Sequence, residues 1–217
     1  VQRALGRPTL DVLTALVEYA RANPHVLLEL KTKSHRVEPL LGLDPPPNLV
    51  VAWSLAPQPV VEHEEHFAAS LDERLAAARV VVAAGGRVAF HLHPIVWYEG
   101  WEEGYASLAA RLVREFDPAQ VCFTSLGVVT FIRPVVKRIR EKGQPGRILQ
   151  MVFAENPDGK LSYPPELKAL LFRHVHEAFA PWHDKVFSYL CMEPRESWLS
   201  TYGYAYDSAE AFEAELL

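Results

Sequence analysis

One unit recurs along this chain: a short apolar run, a polar end, and then a stretch with helical spacing. The runs fall at residues 26–30, 49–55, 87–93, 120–125 and 186–191. Each has the length of a strand and is too short for a buried helix. Strands alternating with helices at this interval are parallel and joined by right-handed crossovers, which predicts an α/β fold with an open parallel sheet or partial barrel. The polar residues closing each run then gather on one edge, where α/β enzymes place their sites.

The connecting segments carry their own signals. Thr9 is expected to cap a helix that runs to about Arg21, with Leu10, Leu13, Leu16 and Val17 on one face and Asn23-Pro24 as its stop. A short helical turn at 37–41 precedes Pro45-Pro46-Pro47, which excludes regular structure. Ser70 and Glu73 form a capping box for a helix closed by Gly85-Gly86. Further helices are expected at 101–115, 132–142, 165–179 and near 195–201, with a last one from Asp207. Residues 147–153 read as an extended run before a turn at Asn156-Pro157-Asp158-Gly159. Because the first recognisable element is a helix, at least one preceding strand is expected to be missing.

With 217 residues, 49% of them apolar, the chain can bury one substantial core. Residues 1–145 are read as the barrel and 146–217 as an α/β extension packed on the same domain. The net charge of −5 gives no global attraction to nucleic acid or to an anionic membrane. A polyanion would need a local basic patch, and Arg133, Lys137, Arg138, Arg140 and Lys142 form the one basic helix face. Two distant cysteines, Cys122 and Cys191, make no disulfide framework, so a reducing cytoplasm is expected. They also cannot supply the three or four thiolates an iron–sulfur cluster takes from its protein. No run approaches a membrane span, Val1–Gly6 holds no signal-peptide core, and the missing initiator methionine suggests a piece of a longer chain.

Lys31, Lys33 and Ser34, then Ser54, then His91 and His93, then Ser125 close successive runs. Only one of Lys31 and Lys33 is expected to point inward, where it would suit a carboxylate or phosphate; the other is read as solvated. Ser54 and nearby backbone amides can hold a ribose hydroxyl or a carboxylate. His91 and His93 share a face, a spacing used by metal hydrolases, with Glu99 and Glu102 as candidate third ligands. Trp97, Tyr98 and Trp101 offer faces to a base or an adenine ring. Each of these residues alone also fits a plain cap, loop or core role. No strand is followed by a phosphate-binding glycine loop, and no GxSxG elbow occurs.

Several blocks, taken in order, resemble a known family. They are residues 28–34, Trp53-Ser54-Leu55, residues 70–79, residues 84–91, and Pro94-Ile95 with Tyr98-Glu99-Gly100-Trp101-Glu102-Glu103-Gly104-Tyr105. Their sequence is similar to spore photoproduct lyase and its radical S-adenosylmethionine relatives, with weaker similarity through residues 158–160 and 189–193. The resemblance implies a partial (β/α)6 barrel of the radical S-adenosylmethionine type that binds this cofactor at its strand ends. It further implies a [4Fe–4S] cluster that reduces the cofactor to a radical, and DNA containing pyrimidine dimers as the partner. By position, Lys33, Ser54 and His93 would meet the cofactor, while Ser125 and Tyr98 would lie toward the substrate. The cluster's CxxxCxxC loop and the hydrogen-donor cysteine are absent here and are expected upstream of Val1, so the chain would be inactive alone. Two other readings stay open: a metal-dependent hydrolase using His91 and His93, and a non-catalytic nucleoside-binding module.

Overall fold

The computed structural model describes residues 9–143, 148–156 and 158–216, with the backbone alone at Thr9, Leu10, Asp11 and Gln150. The cap expected of Thr9, the apolar contribution of Leu10, the segment Val1–Gly6, and Arg147 and Pro157 lie outside these described residues. Strand and helix alternate as α1 (Thr9–Ala22), β1 (Leu28–Thr32), α2 (Glu38–Leu41), β2 (Leu49–Ser54), α3 (Gln58–Glu64), α4 (Leu71–Ala83), β3 (Arg87–Ile95), α5 (Trp101–Glu115) and β4 (Val121–Val128). After them come β5 (Thr130–Phe131), α6 (Arg133–Glu141), β6 (Ala154–Glu155), β7 (Leu161–Ser162), α7 (Pro165–Ala178), β8 (Phe187–Leu190), α8 (Arg195–Tyr202) and α9 (Ala209–Leu216).

Five strands pair in the order β1-β2-β3-β4-β8, every pair parallel. The order never reverses, so right-handed crossovers put the connecting helices on one face and leave the other as the inner face of a partial barrel. Alternation along β2 and β3 sorts their side chains accordingly. Val51, Trp53, Val88, Phe90 and Leu92 join the large core under the helices, with Leu75, Leu112 and Phe172. Val50, Ala52 and Ala89 join a small inner cluster with Cys122 and Phe123. Burying a side chain as large as Phe90 contributes about 1.5–3 kcal/mol, so the helix face is where most of the stability arises. The last helix, α9, crosses to the inner side, where Phe212 meets Phe187 and Tyr189 and Leu216 packs on the inner cluster.

Local signals account for the boundaries. Ser70 Oγ accepts from the Glu73 amide at 3.2 Å and Glu73 Oε2 accepts from the Ser70 amide at 2.7 Å, so the capping box opens α4. Asn48, after the three prolines, donates to the carbonyls of Ala20, Asn23 and Val26 and ties that loop to the end of α1. One expectation is corrected. The described part of the expected extended run, 148–153, is not a strand: Ile148–Gln150 is a 3-10 turn, and the extended backbone comes later at β6. Its two residues pair antiparallel with β7, which pairs with β5, in a small separate sheet. An apolar run reads alike in a strand and in a segment that merely packs, and here Ile148, Met151 and Phe153 pack against the main core.

Candidate functional site

The inner face carries a polar band near the carboxyl ends of the strands. Glu29 and Lys31 of β1 project onto it, and both reach past β2 to β3. Glu29 Oε1 lies 2.7 Å from His91 Nε2, and Lys31 Nζ donates to His93 Nδ1 at 3.3 Å. They can cross a whole strand because Ala52 and Ala89, paired with each other between them, carry only methyl groups. His93 continues the band to β4, with Nε2 at 3.1 Å from Ser125 Oγ. An ammonium can only donate, so Nδ1 is the acceptor and Nε2 carries the hydrogen that goes to Ser125. Tyr189 of β8 is the register partner of Ser125 and brings its phenol to the same side of the sheet, where Phe123 packs on it.

Two features of β4 make this possible. The β3–β4 register slips between Val88 and Phe90, so Cys122 and Phe123, adjacent in sequence, both reach the inner cluster. Ser125 thereby pairs with His91 and faces inward. Gly127 provides the space: a Cβ there would stand 2.7 Å from His93 Nε2 and 2.9 Å from its Cδ2. The far end of the imidazole lies where any other residue would place a side chain.

The electrostatics follow from burial beside like charge. Burial, then the charges of Lys31 and His91, push His93 down to about 3, so the ring is neutral at neutral pH. Burial also holds the Lys31 ammonium below its usual range, against the pull of Glu29 and Cys191. Burial would raise the Glu29 carboxyl, but His91 and Lys31 outweigh it and keep it ionised. His91 Nδ1 is buried with no hydrogen-bond partner. Tyr189 is pushed up to about 12, chiefly by burial, and so is a neutral phenol. The band thus sets one exposed cation and one partly buried carboxylate at the strand ends, with the buried Ser125 hydroxyl and the Tyr189 phenol behind them.

The residues singled out in the sequence divide between this band and other places. His93 and Ser125 touch. Ser54 ends β2 opposite His91 on the same face, and its carbonyl accepts from Arg74 at 2.9 Å. Lys33 stands elsewhere: β1 stops at Thr32, and the Lys33 ammonium turns to Glu65 at 2.6 Å, which also accepts from the buried Arg74. Residues two apart on a strand share a face, so alternation could not have separated Lys31 from Lys33; the end of the strand does. Lys31, although exposed, turns its ammonium to His93 and forms the first link of the band.

Tyr98 belongs to the packing of α5. Its hydroxyl lies against Gly104, where a Cβ would come within 1.9 Å of it. Trp101 is buried with its ring edge on His174, and the buried Tyr105 hydroxyl accepts from the Val96 amide at 2.8 Å. Gly100 starts α5 in the left-handed region at φ 84°, which favours glycine. The conspicuous loop therefore holds β3 to α5.

The two-histidine metal reading is corrected. His91 is engaged by Glu29, His93 has an ammonium at its Nδ1, and Glu102 sits in the first turn of α5. Among the described residues, no group of three His, Cys, Asp or Glu is placed to hold a metal ion. Sequence reading missed Glu29, Tyr189 and Gly127. The available signal was a pair of charges, Glu29 and Lys31, two apart within an otherwise apolar strand.

The family model for spore photoproduct lyase matches residues 9–156. A spore photoproduct lyase from a Geobacillus species is 30% identical over 135 residues, 61% of this chain and 39% of the relative. Another, from Bacillus subtilis, is 32% identical over 126 residues, 57% of this chain and 36% of the relative. The chain thus spans well under half the length of these relatives. A solved mutant spore photoproduct lyase with bound AdoMet and dinucleoside spore photoproduct aligns with a TM-score of 0.72 and 25% identity, covering 83% of this chain and 55% of that one. The parallel sheet is therefore part of a radical S-adenosylmethionine barrel. By the extent of these matches and the fold they share, this chain belongs to the spore photoproduct lyase family.

Proposed function

We propose that this chain is the carboxyl-terminal portion of a cytoplasmic radical S-adenosylmethionine lyase that repairs thymine-dimer lesions in DNA. The observation that carries the reading is the band Lys31–His93–Ser125 at the strand ends of a sheet that aligns with an enzyme solved with AdoMet bound. The residues fit that cofactor. Lys31 suits its carboxylate, and Ser54, Ser125 and the Glu29 carboxylate suit ribose hydroxyls and an amino group. When bound, the cofactor would supply the radical chemistry. This chain's own residues bind and orient: Lys31 by charge, His93 by fixing the Ser125 hydroxyl, Gly127 by leaving room for the ring.

The iron–sulfur cluster does not fit this chain. Cys122 is buried near the amino end of β4 and Cys191 follows the carboxyl end of β8, so the two stand at opposite ends of the sheet. On this reading the cluster ligands lie upstream of Val1, and the chain alone is inactive. Lesion-bearing DNA as the partner rests on the relative solved with dinucleoside spore photoproduct.

Calorimetric titration of the chain with S-adenosylmethionine tests the site. Binding is expected to be weak and to fall at least tenfold in Lys31→Met, with Lys33→Met nearly unchanged. Equal loss in both variants, or no binding by the unsubstituted chain, would overturn the assignment of this edge.

A further inference from the structure

A groove runs over the top of the barrel, outside the polar band. One part, about 500 Å³, lies between α3 and the segment after β3 and is lined by His63, Trp97, Glu99 and Met151. The next part, about 360 Å³, is lined by Lys33, Pro94, Phe131 and Arg140. Val60, Glu64, Val96 and Ile148 border both, so the two are continuous. At one end stands Trp97, 45% exposed, whereas Trp53, Trp101 and Trp182 are buried. At the other end begins α6. Val136 is buried against the protein, and Arg138, Arg140 and Lys142 lie on the exposed surface of the helix and its end.

Between residues 133 and 142 there are five cations and one carboxylate, in a chain whose net charge is −5. Arg133 pairs with Glu155 and Lys137 lies near Glu141. Arg138, Arg140 and Lys142 form no ion pair among the described residues. Charge therefore grades along the groove. Glu64 and Glu99 line the Trp97 part, whereas in the second part Lys33 is paired with Glu65 and Arg140 is a cation without an ion pair among the described residues, with Arg138 and Lys142 exposed on α6 beside it. A ring face that is open and ringed by carboxylates suits an uncharged planar group; the basic end suits a phosphodiester.

We propose that this groove seats unpaired nucleotides of the DNA strand beside the lesion, a base stacking on Trp97 and the backbone running past Arg140 onto the exposed face of α6 that carries Arg138 and Lys142. The proposal rests on the function inferred above and adds a place for the flanking strand, separate from the cofactor edge. Bases hold to aromatic faces with little sequence preference, so the groove would accept any flanking sequence.

Trp97 is its own reporter. Titrating the chain with an eight-residue oligothymidylate is expected to quench its fluorescence, and Trp97→Leu should abolish the change and weaken binding roughly tenfold, as loss of one stacked base does. Arg138→Ala with Arg140→Ala should lower the slope of log affinity against log salt by about 1.4, the value for two phosphate contacts to a single strand. S-adenosylmethionine binding should be unchanged in both variants. An oligonucleotide that binds without quenching, fails to bind, or binds all variants alike would overturn the groove. Loss of S-adenosylmethionine binding by the unsubstituted chain would instead overturn the cofactor edge, which keeps the two failures distinct.

Discussion

The polar band and the segment Tyr98–Tyr105, a short loop that runs into the first turns of α5, both follow from β3, and they use their polar atoms in opposite ways. In the loop, aromatic and acidic residues are dense in sequence, yet Trp101 and Tyr105 are buried and Tyr98 is pressed on Gly104. In the band, single residues from β1, β3, β4 and β8 meet across the sheet, and none is conspicuous in its own segment. Residues that are clustered in sequence can satisfy one another locally, so they tend to serve a turn. Groups gathered from several strands are held by the whole sheet and remain available to a ligand at its edge.

The largest effect is expected where the loop is packed. Gly104→Ala places a methyl group into the Tyr98 hydroxyl and should cost about 3 kcal/mol, at the upper end for overpacking. Thermal unfolding should then begin roughly 6–12 °C lower. Adding Tyr98→Phe removes the obstructing oxygen and should restore most of the loss. Unchanged melting in Gly104→Ala would break the comparison by showing that the loop is not set by packing.

A smaller and different effect is expected in the band. Gly127→Ala pushes only the tip of the His93 ring, so the cost in stability should be about 1 kcal/mol. The His93–Ser125 bond should be lost, seen as a shifted imidazole resonance and weaker S-adenosylmethionine binding. A variant that melts like Gly104→Ala and binds normally would make the band a packing feature as well.

The third effect vanishes at neutral pH and appears only on acidification. In the unfolded chain a histidine titrates near 6.5, while His93 stays neutral in the fold down to about 3. Over that interval the unfolded chain takes up the extra proton, so stability is full above pH 6.5 and falls as the pH drops toward 3. His93→Gln keeps an acceptor for Lys31 and a donor for Ser125 without titrating. It should flatten the acid-side loss in a series of denaturant titrations. His176, held down to about 4 by burial and by His183, acts in the same direction, so part of the slope should persist. An unaltered slope would show that His93 is not shielded as the geometry implies.

Much of the scaffold was legible residue by residue. The apolar runs match β1 to β4 and β8, with β1 displaced two residues toward its polar end, and the capping box stands where Ser70 and Glu73 predict it. The short strands β5 to β7 were not legible, because two-residue pairings leave no periodicity. In the band, His93 and Ser125 are legible as polar residues closing apolar runs, whereas Lys31, Glu29 and Tyr189 enter it only through their neighbours across the sheet.

By itself, the sequence determined the alternation of strand and helix, and so the parallel sheet with its polar edge, because periodicity and caps act within a few residues of chain. Only the tertiary structure decided which polar groups meet. Counting alternately from Val121, a core residue on the helix face, would put Ser125 on that face too; the slip in β3–β4 register turns it inward. Glu29 reaches His91 because Ala52 and Ala89 happen to lie between them, and Lys31 parts from Lys33 because β1 ends at Thr32. Register, bulges and strand ends arise from pairing between segments far apart in the chain, and no local pattern encodes them.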